Sequence, residues 1–346
     1  ATNTTAPTDT NTPAPTATNT TAPTDTVEPT TEPISVTNIG SLAESFVSPF
    51  MGHTDAVRDA IFNSDGTQII SSSADNLINI WDATTGELIT SLENDATAVS
   101  IALSTDENIL AASNNSSIRI WNIQTNEIVT DLDHHIERVT SVVFTPSNDF
   151  LVASSLDGDI SIWSTSNWSR RLIISDAHNS VFDVDVSDDE QSIYSSGFDG
   201  QVRVWNINTG ALLQERVIPD NIRLYGIDYY ESDSEELLAI GIEDAQVVIW
   251  NLITDELTMF PRLSDAVLNV DFNAQGSLVA SADRFGMVSI WDVGQEEAIF
   301  QIDFRSTYGI DATNAVIDSV EFSEDNTSLL VSSRGNTVRL FSLIAP

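Results

Sequence analysis

Cysteine and lysine are both absent from the 346 residues. Without Cys the chain has no disulfide, no thiolate metal site and no Cys nucleophile. Without Lys, all 13 basic residues are Arg; they face 52 acids, giving a formal net charge of −39. So negative a field repels nucleic acid and anionic lipid, and it favours solubility, cationic partners and divalent ions. Solvation of an acidic surface is the plainer reading of the same acids. Long apolar runs are missing too, and none approaches the roughly 18 residues that would span a membrane. No stretch beyond about eight residues keeps a helical period, so helix is at most a minor component. No Met precedes Ala1 and no signal-like apolar segment follows it, so the sequence reads as a processed or truncated chain. Catalytic signatures are missing as well: there is no GxSxG, P-loop, HExxH or dinucleotide fingerprint, and neither an enzyme nor a cofactor is expected.

Residues 1–33 differ from the remainder. The stretch ATNTTAPTDT at 1–10 recurs unchanged at 17–26, and Thr occupies 14 of the first 32 positions. Such a segment buries too little apolar surface to offset its ordering entropy, and its Pro residues bias it to extended backbone. At roughly 3.1 Å per residue it would reach about 100 Å. Thr with Pro suggests an O-glycosylated stalk, with Thr8, Thr12 and Thr24 as acceptors. Asn3, Asn19, Asn114, Asn115, Asn167 and Asn326 stand in N-glycosylation sequons.

Residues 34–346 carry a period. Trp81, Trp121, Trp163, Trp205, Trp250 and Trp291 are 40 to 45 residues apart. Each ends a phrase of apolar, any, apolar, Trp, as in Ile78-Asn79-Ile80-Trp81. A seventh copy ends in Phe341. Within the first period, Ala56 to Phe62, Gln68 to Ser73, Leu77 to Trp81 and Glu87 to Leu92 read as short strands. Asn63-Ser64-Asp65-Gly66, Ala74-Asp75-Asn76 and Thr84-Thr85-Gly86 are the turns between them. A repeat of this length, built of four short strands, indicates all-β units that stack or circle an axis.

These residues resemble the WD40 repeat family. Gly52-His53 precedes the first strand, Ser64 to Gly66 is the Ser-Asp-Gly turn, Asp75 lies six before Trp81, and Asp82 follows it. The likeness covers residues 34–346 and is closest to the divergent, extracellular WD40 proteins of bacteria. It implies a seven-bladed β-propeller. The seventh unit has only three strands of its own, so a strand within Leu42 to Phe50 is expected to close the ring, pairing its last open edge.

The family also implies a hydrogen-bonded set in each blade: a His, a Ser on the second strand, the Asp of the next turn, and the Trp. Carried over, the set is His53, Asp75 and Trp81 in blade one, and His135, Asp157 and Trp163 in blade three. Blade four has His178, displaced by one place, with Asp199 and Trp205. Blade five keeps Asp244 and Trp250 without a His. Blade two has Asn115 in place of Asp, with Trp121. Phe285 and Gly335 stand at the Asp position in blades six and seven, beside Trp291 and Phe341. His134 is left without a role.

Off this pattern, Trp168 breaks the Trp register beside Arg170 and Arg171, which suits an interface anchor or packing on its own blade. Tyr229 and Tyr230 are adjacent on a strand, so at least one is expected to face out. Asp183 and Asp185 share one strand face and are the candidates for Ca²⁺, against the alternative of a solvated strand edge. The combined expectation is a non-catalytic extracellular or cell-surface structural protein. Its propeller would join other copies of itself through the tail, even into a filament, without nucleic acid or membrane insertion. A monomeric binding module on a glycosylated stalk is the alternative.

Overall fold

A computed structural model describes residues 32–45, 47–219 and 222–343. The expected tail, with Asn3, Asn19, Thr8, Thr12 and Thr24, lies almost wholly outside the described residues. The described chain is a seven-bladed β-propeller. Six blades are four-stranded antiparallel sheets whose strands follow one another in chain order.

The seventh blade completes the ring. Its own strands are Ile317–Phe322, Ser328–Ser333 and Thr337–Leu343. Leu42–Glu44 pairs antiparallel with the last of these, Leu42 opposite Leu343 and Glu44 opposite Phe341. Phe50–Met51 pairs further along the same strand, Phe50 opposite Val338. An ion pair between Arg339 Nη1 and Glu44 Oε1 at 2.5 Å fastens the two ends of the ring.

The core lies between blades rather than inside them. Ile70, Ile78 and Ile80 of blade one pack on Ala98, Ile101, Leu110 and Trp121 of blade two, and every junction repeats this plan. The inner three strands of a blade are covered on both faces, which is why their second strands read as runs of small or aliphatic residues such as Ile69-Ile70-Ser71-Ser72-Ser73. The outer strands are wet on one side, as the alternation in Leu88–Glu93 shows. Two glycines permit close approach. A Cβ at Gly52 would lie 2.7 Å from the Trp81 ring, and one at Gly276, where φ is +63°, would lie 2.2 Å from the Tyr230 ring. The one described α-helix, Phe304–Tyr308, bridges blades six and seven; Asp303 caps it by accepting from the Arg305 and Ser306 amides.

Candidate functional site

The Trp residues hold the blades together from within. In blade one, His53 Nδ1 meets Asp75 Oδ2 at 3.0 Å, His53 Nε2 meets Ser71 Oγ at 2.9 Å, and Trp81 Nε1 donates to the same Oγ at 2.8 Å. Blade four repeats this with His178, Asp199, Ser195 and Trp205. Burial holds His53, His135 and His178 below their ordinary pKa, so the imidazoles are neutral near pH 7. Burial alone would raise Asp199, but His178 and Arg203 outweigh it and bring it down to about 2.

The remaining blades depart from the expected set, each for a local reason. In blade three the second strand has Ala153 opposite Ser161. The Ser is therefore on the third strand, where Ser161 Oγ faces His135 Nε2 at 2.9 Å and accepts from Trp163 Nε1 at 2.9 Å. His135 Nδ1 still meets Asp157 at 3.1 Å. In blade two the turn is one residue shorter, so Asn115, at φ +58°, makes the hairpin itself and takes no part in the set. The Ser position there is Ala112, opposite Arg119, and the buried Trp121 Nε1 has no acceptor. In blade five Ile240 stands at the Ser position. Trp250 Nε1 donates instead to Asp255 at 3.1 Å, and Asp244 pairs with Arg262 on the surface. In blade six Trp291 Nε1 donates to Ser281 at 2.9 Å. The turn carboxylate is Asp283, two residues before Phe285; it accepts from the Phe285 and Met287 amides and the Ser264 hydroxyl.

A second set of side chains lines the central channel. The first strand of each blade is an inner edge with unpaired amides, which need acceptors. The preceding blade provides them. Asp59 accepts from Ile101 N at 2.9 Å, Asp183 from Ile227 N at 2.9 Å, and Asp185 from Tyr229 N at 2.8 Å. Asp228 accepts from Phe272 N at 2.6 Å, Asp271 from Phe322 N at 2.7 Å, and Glu321 from Phe62 N at 3.3 Å. Ser100, Asn269 and Ser319 make equivalent links through neutral oxygens. Burial raises Asp59 and Asp183 to about 6 and Asp185 to about 7, and raises Asp228, Asp271 and Glu321 well above the carboxylate range. This corrects both expectations for Asp183 and Asp185. They are half-buried blade-to-blade acceptors, not a solvated edge, and no His, Asp or Glu trio able to hold a metal occurs among the described residues.

One end of the channel opens into a recess of about 430 Å³, walled by Arg58, Arg138, Arg284, Arg334, Phe182 and Tyr225 among others. Arg58 and Arg334 share a single carboxylate, Asp318, at 3.2 and 2.8 Å. Arg284 donates to Tyr225 Oη at 2.8 Å and lies 3.9 Å from Asp265. Phe182 meets Tyr225 edge-on at 4.9 Å and stacks on Phe198 at 5.6 Å, with Arg223 over Phe198 at 5.2 Å.

The interface candidates fall elsewhere. Trp168, at φ +56°, is half-buried and packs on the core cluster that Leu132, Leu151 and Trp163 help to form, so it is a packing residue and not an exposed anchor. Arg170 donates to His134 at 2.8 Å, which gives His134 a partner, and Arg171 lies over the Phe150 ring at 4.4 Å. Neither Tyr229 nor Tyr230 faces out. Adjacent blades cover both strand faces: Tyr229 stacks on Tyr194 at 4.4 Å, and Tyr230 packs on Phe272 at 5.7 Å. Asn114 and Asn326 are 9% and 1% exposed, which removes both as glycan acceptors. Asn115 and Asn167 are exposed. No described helix is long and apolar enough to cross a membrane.

Among curated proteins, the chain is 25% identical over 255 residues to human pre-mRNA-processing factor 17, covering 70% of this chain and 44% of that one. It is 22% identical over 216 residues to eukaryotic translation initiation factor 3 subunit I of Drosophila grimshawi, covering 59% and 63%. Rat Jouberin matches at 22% over 176 residues, covering 48% of this chain and 17% of that one. The chain thus spans less than two thirds of each relative's length. Pre-mRNA processing and translation initiation take place inside the cell, which overturns the extracellular or cell-surface expectation and its bacterial-type extracellular affinity. No enzyme family emerges from these matches. With residues 56–342 matching the family described as the IFT122 first beta-propeller, the chain belongs to that family of WD40-type propellers.

Proposed function

We propose that the protein is a non-catalytic interaction platform whose docking site is the Arg-bearing end of the channel. The carrying observation is the recess itself. At about 430 Å³ it lies within the range of roughly 300–1,000 Å³ typical of binding pockets, and it combines aromatic walls with convergent polar groups. The rigid ring around it supports a preformed site, because each blade is pinned to the next by packing and by channel hydrogen bonds, which between blades three and four run from the Thr140 and Ser141 hydroxyls to the Val181 and Val184 carbonyls. Fold alone does not select a partner, so the reading rests on this site. A photo-crosslinking residue at Glu137, beside the recess, is expected to give one dominant protein adduct, while the same residue at Asp188, at the far end, gives none. Equal yields from both ends would count against the site.

Assembly of copies through the N-terminal tail is a second reading, favoured by the exact ten-residue duplication at 1–10 and 17–26. Deleting residues 1–33 should then lower the mass measured by light scattering, and an unchanged mass would sink that reading.

A further inference from the structure

The two ends of the channel are chemically unlike. Arg58 and Arg138 stand at the starts of first strands, and Arg284 and Arg334 directly follow second strands, so all four gather at one end. The opposite end carries the turns that join first to second strands. Six of those seven turns hold an acid, at Asp65, Asp106, Asp149, Asp189, Asp233 and Asp325, and none holds an Arg. The Arg end has turn acids as well, Asp75, Asp157, Asp199, Asp244 and Asp283, but these are held by His53, His135, His178, Arg262 and Ser264. Four of 13 arginines thus surround one small opening in a chain of net charge −39.

These arginines are not used up by internal pairing. Two of them share Asp318 alone. The Arg58 Nε proton is out of solvent and has no acceptor. Arg138 is exposed, and its guanidinium makes no ion pair, hydrogen bond or ring contact among the described residues. Asp59 and Asp183 also reach the recess and offset part of this charge, but each is turned to a backbone amide, Ile101 N and Ile227 N, and not to an arginine. Guanidinium groups of this kind bind carboxylates in a planar, two-pronged geometry that favours a specific anion over bulk water. Apart from Asp265, 3.9 Å from Arg284, the distant acids of the chain weigh little on the local field, since at about 0.15 M salt charges more than about 8 Å away are largely screened. Phe182 and Tyr225 add ring faces between the cations, suited to an apolar or aromatic side chain.

Building on the docking site proposed above, we infer that the partner it receives is an acidic peptide segment, with carboxylates on the arginines and an apolar side chain on the aromatic wall. The segment enters from the Arg end only, because the far end repels it.

The test uses the full chain at 0.15 M salt and a fluorescein-labelled pentapeptide with two glutamates on each side of a phenylalanine. Binding is read by anisotropy, with the lysine counterpart as control. The glutamate peptide should bind and the lysine peptide should not. Arg138→Glu should raise Kd at least tenfold, the effect of losing one charge-assisted contact and reversing its charge. The Arg138 side chain has no internal partner, so this variant is expected to fold; Arg284→Ala, with its smaller structural change, should weaken binding in the same direction. Arg216→Glu, on the outer strand of blade four, should leave Kd unchanged. Equal weakening by Arg138→Glu and Arg216→Glu would show a general charge effect and overturn the inference. So would displacement of the peptide by 10 mM inorganic phosphate, which would mark a free-anion site. Failure of the peptide to bind, with crosslinks still confined to Glu137, refutes the acidic partner and leaves the docking site standing. Crosslinks spread evenly over both ends refute the docking site itself.

Discussion

Asp183→Asn isolates the electrostatic strain in the channel wall. Asp183 accepts from Ile227 N at 2.9 Å, and burial raises its pKa from 3.8 to about 6. A raised carboxylate contributes stability that is complete below its unfolded pKa and is lost as pH rises through its folded one. The window is therefore about pH 4 to 6. Two units correspond to about 3 kcal/mol at most, at roughly 1.4 kcal/mol per unit, and water in the channel should reduce this to about 1–2 kcal/mol. Asn keeps an acceptor oxygen and has no charge to bury. The fold already uses this substitute, since Asn269 occupies the same place in blade six and accepts from Val320 N at 2.9 Å. Urea midpoints followed by Trp fluorescence at pH 4.5 and 7.5 should show the variant gaining about 1–2 kcal/mol on the wild type between the two. Parallel pH profiles for the two proteins would refute the account of the channel as strained by charge.

Two further outcomes follow from the blade interiors. Ala112→Ser should place a hydroxyl near the unpaired Trp121 Nε1 and raise stability by about 0.5–1.5 kcal/mol in urea denaturation; a loss would mean that the site cannot admit one more oxygen. His178→Gln should lower Tm at pH 7, through loss of the Ser195 and Asp199 contacts, by an amount equivalent to about 2–3 kcal/mol. Because burial depresses the His178 pKa, its contribution is present above the ordinary value of 6.5 and is lost as pH falls through the folded value. The gap between variant and wild type should accordingly narrow at pH 5.

The blade count was legible because Trp81 to Phe341 repeat a local phrase whose geometry a single strand dictates. Closure by Leu42–Glu44 was legible because the seventh unit reads as three strands where the others read as four. The changes within blades were written in residues that went unread: Ala153, Ala112 and Ile240 lie where Ser71 does, and only the cross-strand register reveals what replaces the missing hydroxyl. The channel acceptors were harder to see. Asp183 and Asp185 stood out as a cluster, but their partners Ile227 and Tyr229 are 44 residues away in another blade, and nothing in the strand itself shows that its inner edge meets a neighbour. Tyr229 and Tyr230 misled for a related reason, because a strand in a propeller has two covered faces where an isolated sheet would have one. The arginine cluster joins residues from four blades and has no signature along the chain.

The velcro-like pairing of Leu42 with Leu343 has a consequence in time. During synthesis the segment 42–44 emerges well before its partner. At roughly 5–20 residues per second, about 300 intervening residues hold them apart for tens of seconds. Blades one to six are complete hairpin meanders and can form in order as they leave the ribosome, whereas the seventh must wait for both ends. Until then the nascent disc is an open arc with two bare sheet edges. Its final step is a single long-range docking event, and it is in that interval, not in the finished ring, that the chain is most exposed to pairing with a stranger.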